Sequence, residues 1–134
     1  MTVPVVLGFD PSKTKLGWGA VRDDDGSPVR ADVRPLDGSP EGVLAALHDI
    51  ATWMRLSDLE PSFALVEYPF GGGKTGGSAI FESGVAVGYC ELAARMLWPS
   101  IVLDRIGAIH WRPKVGVPRA PRDLTAGRRR DWLK

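Results

Sequence analysis

Two acids stand where a carboxylate could do chemistry. Asp10 follows the apolar run Val5-Val6-Leu7-Gly8-Phe9, and Glu67 follows Phe63-Ala64-Leu65-Val66. Short β-branched and apolar runs of this kind form buried strands, so each acid marks the point where a strand gives way to a loop. If the two strands are adjacent and parallel, Asp10 and Glu67 lie side by side at their carboxyl ends. Paired carboxylates repel one another unless a divalent cation sits between them, and hard oxygen donors suit Mg²⁺ or Mn²⁺. Such ions activate water and stabilise the leaving oxygen in phosphodiester cleavage. Each acid could equally cap a turn or the helix that follows, because Asp10-Pro11-Ser12 is also turn chemistry.

Behind Glu67 comes a glycine-rich stretch, Gly71-Gly72-Gly73-Lys74-Thr75-Gly76-Gly77. Its position between a strand and a helix invites a phosphate-loop interpretation. That loop needs Gly, four residues, then Gly-Lys-Ser/Thr, so that successive backbone N–H groups curl around the phosphates. Counting back from Gly73-Lys74-Thr75, the required first glycine falls on Tyr68, and the match fails.

The elements that must position the acids can be followed along the chain. Val3 to Phe9, Leu16 to Val21 and Pro28 to Val33 read as three strands of an antiparallel meander, with Asp23-Asp24-Asp25-Gly26 as the second turn. Ser39-Pro40-Glu41 supplies an N-cap, a proline at the first helical position and an acid in the first turn. Val43, Leu44, Leu47, Ile50, Ala51 and Met54 then recur at helical spacing. A fourth strand ends at Glu67, a helix is expected from about Ser78 to Leu97, and a fifth strand at Ile101 to Leu103. Further helical pieces are expected at Ile106 to Lys114 and Leu124 to Lys134. Three hairpin-linked strands followed by alternating units imply an α/β fold: a five-stranded mixed sheet with helices on both faces.

Composition sets the outer limits. The 134 residues make one domain, with 44% hydrophobic and 25% charged residues. The single cysteine, Cys90, excludes an internal disulfide framework and a cysteine-rich zinc site. No run of eighteen apolar residues exists and the first residues lack a signal-peptide layout, so a cytoplasmic protein without membrane contact is expected. The net charge of +1 hides an asymmetry. From Arg105 to Lys134 there are nine Lys/Arg against two Asp/Glu, a balance of +7, whereas residues 1–104 balance at −6. A basic segment at 105–134, with Arg112, Lys114, Arg128, Arg129 and Arg130, suits a phosphate backbone. A solvated terminus would have the same composition.

Leu7-Gly8-Phe9-Asp10-Pro11-Ser12, followed by Thr14 and Gly17-Trp18-Gly19, resembles the first motif of RuvC-type Holliday junction resolvases of the RNase H-like superfamily. Val66-Glu67-Tyr68-Pro69-Phe70 resembles the second motif, an acid at a strand end with an aromatic three positions later. Ser78-Ala79 through Gly84, Val87-Gly88 and Ala93-Ala94 resembles the small-residue helix behind it. The resemblance covers roughly Val3 to Val117. It implies an RNase H-like fold, Asp10 and Glu67 as catalytic ligands of Mg²⁺ or Mn²⁺, and branched DNA as the partner. Phe70 would be the aromatic wedge against bases near a junction's crossover, with Lys74, Lys13 and Lys15 available to phosphates. A homodimer is implied too, with Gly84 and Gly88 on the Ser78–Leu97 helix allowing close contact, in a bacterial or phage-infected cell. The sequence departs from the family in one respect. The family closes its metal site with further acids, or a histidine and an acid, on a C-terminal helix. Here neither Asp-x-x-Asp nor His-x-x-Asp occurs in the tail. Asp123 or Asp131 could substitute, but a last helix missing from this chain is the expectation.

The remaining candidates are structural. His48 is expected to be partly buried in the first helix, Trp18 and Trp53 to be core, and Trp98 to end a helix. His110 beside Trp111 and Arg112 could touch DNA but has no metal spacing. Two alternatives to a junction-resolving endonuclease stay open. One is a non-catalytic binding module for branched nucleic acid derived from such a nuclease. The other is an ATP-binding protein of the sugar-kinase and actin superfamily, partly matched by Gly8-Phe9-Asp10-Pro11-Ser12-Lys13-Thr14, although that architecture needs two such domains.

Overall fold

The computed structural model describes residues 1–68 and 77–107, and the account below concerns these. Five strands, β1 (Val3–Pro11), β2 (Lys15–Arg22), β3 (Pro28–Pro35), β4 (Leu59–Tyr68) and β5 (Val102–Gly107), form one sheet in the order β3-β2-β1-β4-β5. Helix α1 (Pro40–Leu56) lies between β3 and β4 in sequence, and α2 (Gly77–Leu97) between β4 and β5.

Local chemistry sets this order. The β2–β3 turn is closed by Gly26 N–H donating to Arg22 O (2.9 Å) and Ser27 N–H donating to Asp25 Oδ1 (2.8 Å). Gly26 adopts φ 71°, a left-handed conformation that glycine enters without steric cost. The two hairpins are therefore antiparallel. Parallel neighbours need a crossover, and α1 provides the one that brings β4 beside β1. Ser39 starts α1 as expected: its hydroxyl accepts from Gly42 N–H at 3.0 Å, with Pro40 at the first helical position.

Both described helices pack on the same face of the sheet, so among the described residues the expectation of helices on both faces is met on one face only. Val5, Leu7 and Phe9 of β1, Leu16, Trp18 and Ala20 of β2, and Ala64 and Val66 of β4 are buried there. They meet Val43, Leu47, Ile50 and Met54 of α1 and Val87, Cys90, Ala93 and Ala94 of α2 in one continuous core. Trp18 stacks edge-on against Trp53 of α1, with the Arg30 guanidinium over both rings at 5.3 and 4.9 Å. The opposite face carries Val21, Val33 and Val102, all exposed, and no described element covers it.

The strands run longer than the sequence suggests. β1 continues through Asp10 to Pro11 because β2 supplies partners as far as Leu16. β4 begins at Leu59 and tolerates Pro61 because the ladder slips between Val5 and Val6 at that point. β5 takes in Ile106 and Gly107, which pair with Glu67 and Tyr68; the expectation of a helix starting at Ile106 is corrected by this pairing. The rest of the expected helical pieces lie outside the described residues. No described helix is long and apolar enough to cross a membrane.

Cys90, on the inner side of α2, is 0% exposed, and burial pushes its thiol up to about 12. The native protein should therefore resist an aromatic disulfide reagent at pH 8 and react with one equivalent only after denaturant is added. Stoichiometric labelling without denaturant would show that the α2 packing is wrong.

Candidate active site

The ladder pairs Phe9 with Val66, and both side chains point into the core, 3% and 0% exposed. Side chains alternate along a strand, so the next residues, Asp10 and Glu67, turn to the other face. They stand abreast near the carboxyl ends of adjacent parallel strands. Both line one cleft of about 370 Å³ on the uncovered face, together with Gly8, Gly17, Leu65 and Ile106.

The floor of this cleft is glycine. Gly8 pairs with Gly19, and Gly17 pairs with Asp10, so the three glycines share the face that carries the acids. A Cβ on Gly8 would meet nothing within 4 Å, and one on Gly17 would meet only Asp10, Cβ at 3.6 Å and carbonyl O at 3.7 Å. Glycine inside a strand costs about 0.5–1 kcal/mol relative to alanine and often marks a place where a ligand or another backbone comes close. The period-two spacing of Gly17 and Gly19, in phase with Gly8 across the hairpin, is the sequence signal for this floor.

The turn beyond Asp10 is fixed by Ser12. Its backbone N–H and its hydroxyl both donate to Lys15 O at 2.9 Å, and the hydroxyl accepts from Lys15 N–H at 3.2 Å. Lys15 lies two residues before Gly17 and so on the acid-bearing face, at its exposed rim. Lys13 instead pairs with Glu82 of α2 at 3.6 Å, both side chains more than half exposed. A second tie lies across the sheet: Arg105, one residue before Glu67's partner Ile106, donates from Nε (2.9 Å) and Nη2 (2.8 Å) to Glu91 Oε1 of α2. Glu91 is only 14% exposed, so this pair is less screened than the Lys13 pair. Neither tie was foreseen from sequence. The signal was two isolated acids, Glu82 and Glu91, on a helix otherwise rich in small and apolar residues.

Among the described residues, no group of three or more His, Cys, Asp or Glu is arranged to hold a metal. Asp10 and Glu67 provide two carboxylates on an accessible face, a donor set that fits a hard divalent cation. Asp123 and Asp131 lie outside the described residues, as do Phe70, Lys74, His110, Arg112, Lys114, Arg128, Arg129 and Arg130. His48 is exposed rather than partly buried, because the helical phase that buries Leu47 turns the next residue outward. It borders a separate cleft with Thr2 and Glu60, at the opposite end of the sheet from the acids.

No family model and no curated protein matches this chain. Solved structures do. RuvC of T. thermophilus in complex with a Holliday junction substrate superposes with a TM-score of 0.62 at 20% identity, over 84% of this chain and 69% of that one. A second Thermus thermophilus RuvC structure gives 0.53 at 20% identity, over 93% of this chain and 88% of that one. A propionate kinase from Francisella tularensis gives 0.56 at 10% identity, over 96% of this chain and 43% of the kinase. The fold is RNase H-like, a five-stranded mixed sheet with helices, as the sequence resemblance implied.

Gly17 offers a direct check on the geometry. Alanine there makes only an ordinary contact with Asp10, so Gly17→Ala should change stability by less than about 1 kcal/mol. Gly17→Val should crowd the Asp10 side chain and weaken Mn²⁺ binding by titration calorimetry, with the unfolding midpoint nearly unchanged. Equal Mn²⁺ affinity in both variants would remove Gly17 from the site.

Proposed function

We propose that this chain is a divalent-metal-dependent endonuclease that acts on branched DNA, four-way junctions foremost. The observation that carries this is the placement of Asp10 and Glu67 abreast on adjacent parallel strands, lining one open cleft. The similarity to a RuvC structure solved with a Holliday junction substrate supports the choice of DNA, and so does the +7 balance of residues 105–134.

In this reading Asp10 and Glu67 hold Mg²⁺ or Mn²⁺, which when bound supplies an activated water and charge neutralisation at the leaving oxygen. Asp123 or Asp131 would complete the donor set. Lys15, on the rim of the same face, orients a phosphate beside the acids, and the glycine floor lets a bulky strand approach them. Phe70 would wedge against unstacked bases and Lys74 would take a neighbouring phosphate. Arg112, Lys114, Arg128, Arg129 and Arg130 neutralise phosphates away from the cut and carry affinity without sequence preference. A four-way junction has two related strands, so symmetric cleavage calls for a dimer with two sites.

One observation favours a second reading. The propionate kinase likeness spans nearly the whole chain, which would make this domain half of an ATP-binding architecture. That architecture needs two such domains, and this chain spans 43% of the kinase. Measuring ATP binding by calorimetry separates the two: micromolar affinity would favour the kinase relationship.

A strand-cleavage assay on a synthetic four-way junction, with linear duplex as control, tests the proposal. The wild-type chain with Mg²⁺ or Mn²⁺ should cut the junction in preference. Asp10→Asn and Glu67→Gln should each lose at least about 100-fold in rate, at or beyond the upper end of what losing an outer-shell metal partner costs, while junction binding stays within a few-fold. Cutting neither substrate, or both equally, would refute it; binding without cutting would leave the non-catalytic module.

The basic segment gives a separate prediction. Replacing Arg128, Arg129 and Arg130 by alanine should weaken binding to all sequences and flatten the salt dependence by up to about 0.9 log units per lost phosphate contact. An unchanged slope would mean these arginines are only solvated.

A further inference from the structure

A second cleft opens at the end of the sheet opposite the acids, where α1 and α2 finish and β4 begins. Its volume is about 430 Å³, larger than that of the cleft beside Asp10 and Glu67 and within the roughly 300–1,000 Å³ of small-molecule sites. Helix α1 lends it one wall. His48, Thr52 and Arg55 recur at i, i+4 and i+7, the spacing of one helix face, and all three line the cleft. Thr2, just before β1, and Glu60 of β4 line it as well. Ala51, Leu59, Leu97 and Trp98, all half-buried, supply its apolar lining.

The two hydroxyls have one proton each, and both protons are already committed. Thr2 Oγ1 donates to Glu60 Oε2 at 3.0 Å, and Thr52 Oγ1 donates to His48 O at 3.0 Å. A carboxylate and a carbonyl only accept, so neither bond can run the other way. Both hydroxyl oxygens therefore offer a ligand lone pairs alone, and Glu60 adds its carboxylate. Donors come from the Arg55 guanidinium and the His48 ring. Arg55 and Glu60 are both exposed, and among the described residues neither has an ion-pair partner. Opposite charges thus line one cleft without meeting.

A cation in the last turn of a helix is stabilised by the helix dipole, and that alone would account for Arg55. It does not account for Thr52 and His48 on the same face, or for an acid in the same cleft. The dipole also weighs against a phosphate. Two helices end here, at Leu56 and Leu97, and helix C-termini carry partial negative charge, to which Glu60 adds. A ligand with both signs fits instead. We infer that this cleft binds a free α-amino acid with a large apolar side chain. Its carboxylate meets Arg55 and His48, the guanidinium fork matching the two carboxylate oxygens. Its ammonium, with three donors, meets Glu60 and the hydroxyl oxygens of Thr2 and Thr52. Its side chain lies against Leu59, Leu97 and Trp98. The inference goes beyond the nuclease reading and does not depend on it, because this cleft shares no lining residue with the acids' cleft.

Titration calorimetry of the full chain with L-phenylalanine, without DNA or metal, tests it. The dissociation constant should lie at or below about 1 mM, within reach of so small a ligand. Phenethylamine lacks the carboxylate and hydrocinnamate lacks the ammonium, and each should bind at least about tenfold more weakly, the cost of one lost charged hydrogen bond. Arg55→Met and Glu60→Gln, both at exposed positions, should each weaken L-phenylalanine by at least about tenfold while the unfolding midpoint stays nearly unchanged. No measurable binding of L-phenylalanine, equal binding of either truncated probe, or variants that bind like the wild type would overturn the inference. Tighter binding of adenosine monophosphate at this cleft would overturn it too, by making it a phosphate site. With DNA and metal absent, a failure here and a failed cleavage assay are distinguishable results.

Discussion

The parallel register between β1 and β4 is the constraint on which the rest of the molecule depends. Pairing Phe9 with Val66 points two large apolar side chains at α1 and α2, and alternation then leaves the next residue of each strand no choice of face. A slip of one residue on either strand would put an acid into the core and an apolar side chain in the cleft. The burial of Leu7, Phe9, Ala64 and Val66 thus holds Asp10 and Glu67 where they are. The hydrophobic core and the site are two sides of a single ladder.

That ladder explains why the site lies on the less covered face. α1 and α2 meet each other and the sheet on one side, where Trp18, Trp53 and Arg30 close the edge toward β3. The other side is low and smooth around the acids because Gly8, Gly17 and Gly19 carry no side chains there. A divalent cation held by both carboxylates would stabilise the folded state as well as serve the site.

Much of this was legible in the residues themselves. The runs before Asp10 and Glu67, the Ser39-Pro40 start of α1 and the α2 span all reappear in the structure. Hairpin signals gave the antiparallel meander of β1 to β3, whereas the place of β4 beside β1 stood only as a condition and that of β5 came from the structure. What composition could not give was strand length, since β5 extends to Gly107 only because β4 offers Glu67 and Tyr68 as partners. Ile106 has the same side chain in a helix or a strand, and tertiary pairing decided between them. The exposure of His48 came down to one helical position, finer than a pattern of apolar residues resolves. The ties from Glu82 and Glu91 to the strand ends depend on how α2 lies across the sheet, which no local signal encodes.

Those ties give α2 a part in the site although none of its described residues reaches the acids' cleft. The Glu91–Arg105 pair is charge-assisted, short and partly shielded, so it fixes the middle of α2 against β5 beside Glu67's partner. The Lys13–Glu82 pair is longer and more exposed, and surface pairs of that kind contribute about 0–1 kcal/mol. The first turns of α2 are therefore held less firmly than its middle. α2 begins at Gly77, ten residues after Glu67 along the chain, so its first turns and Glu67 bound the same connection.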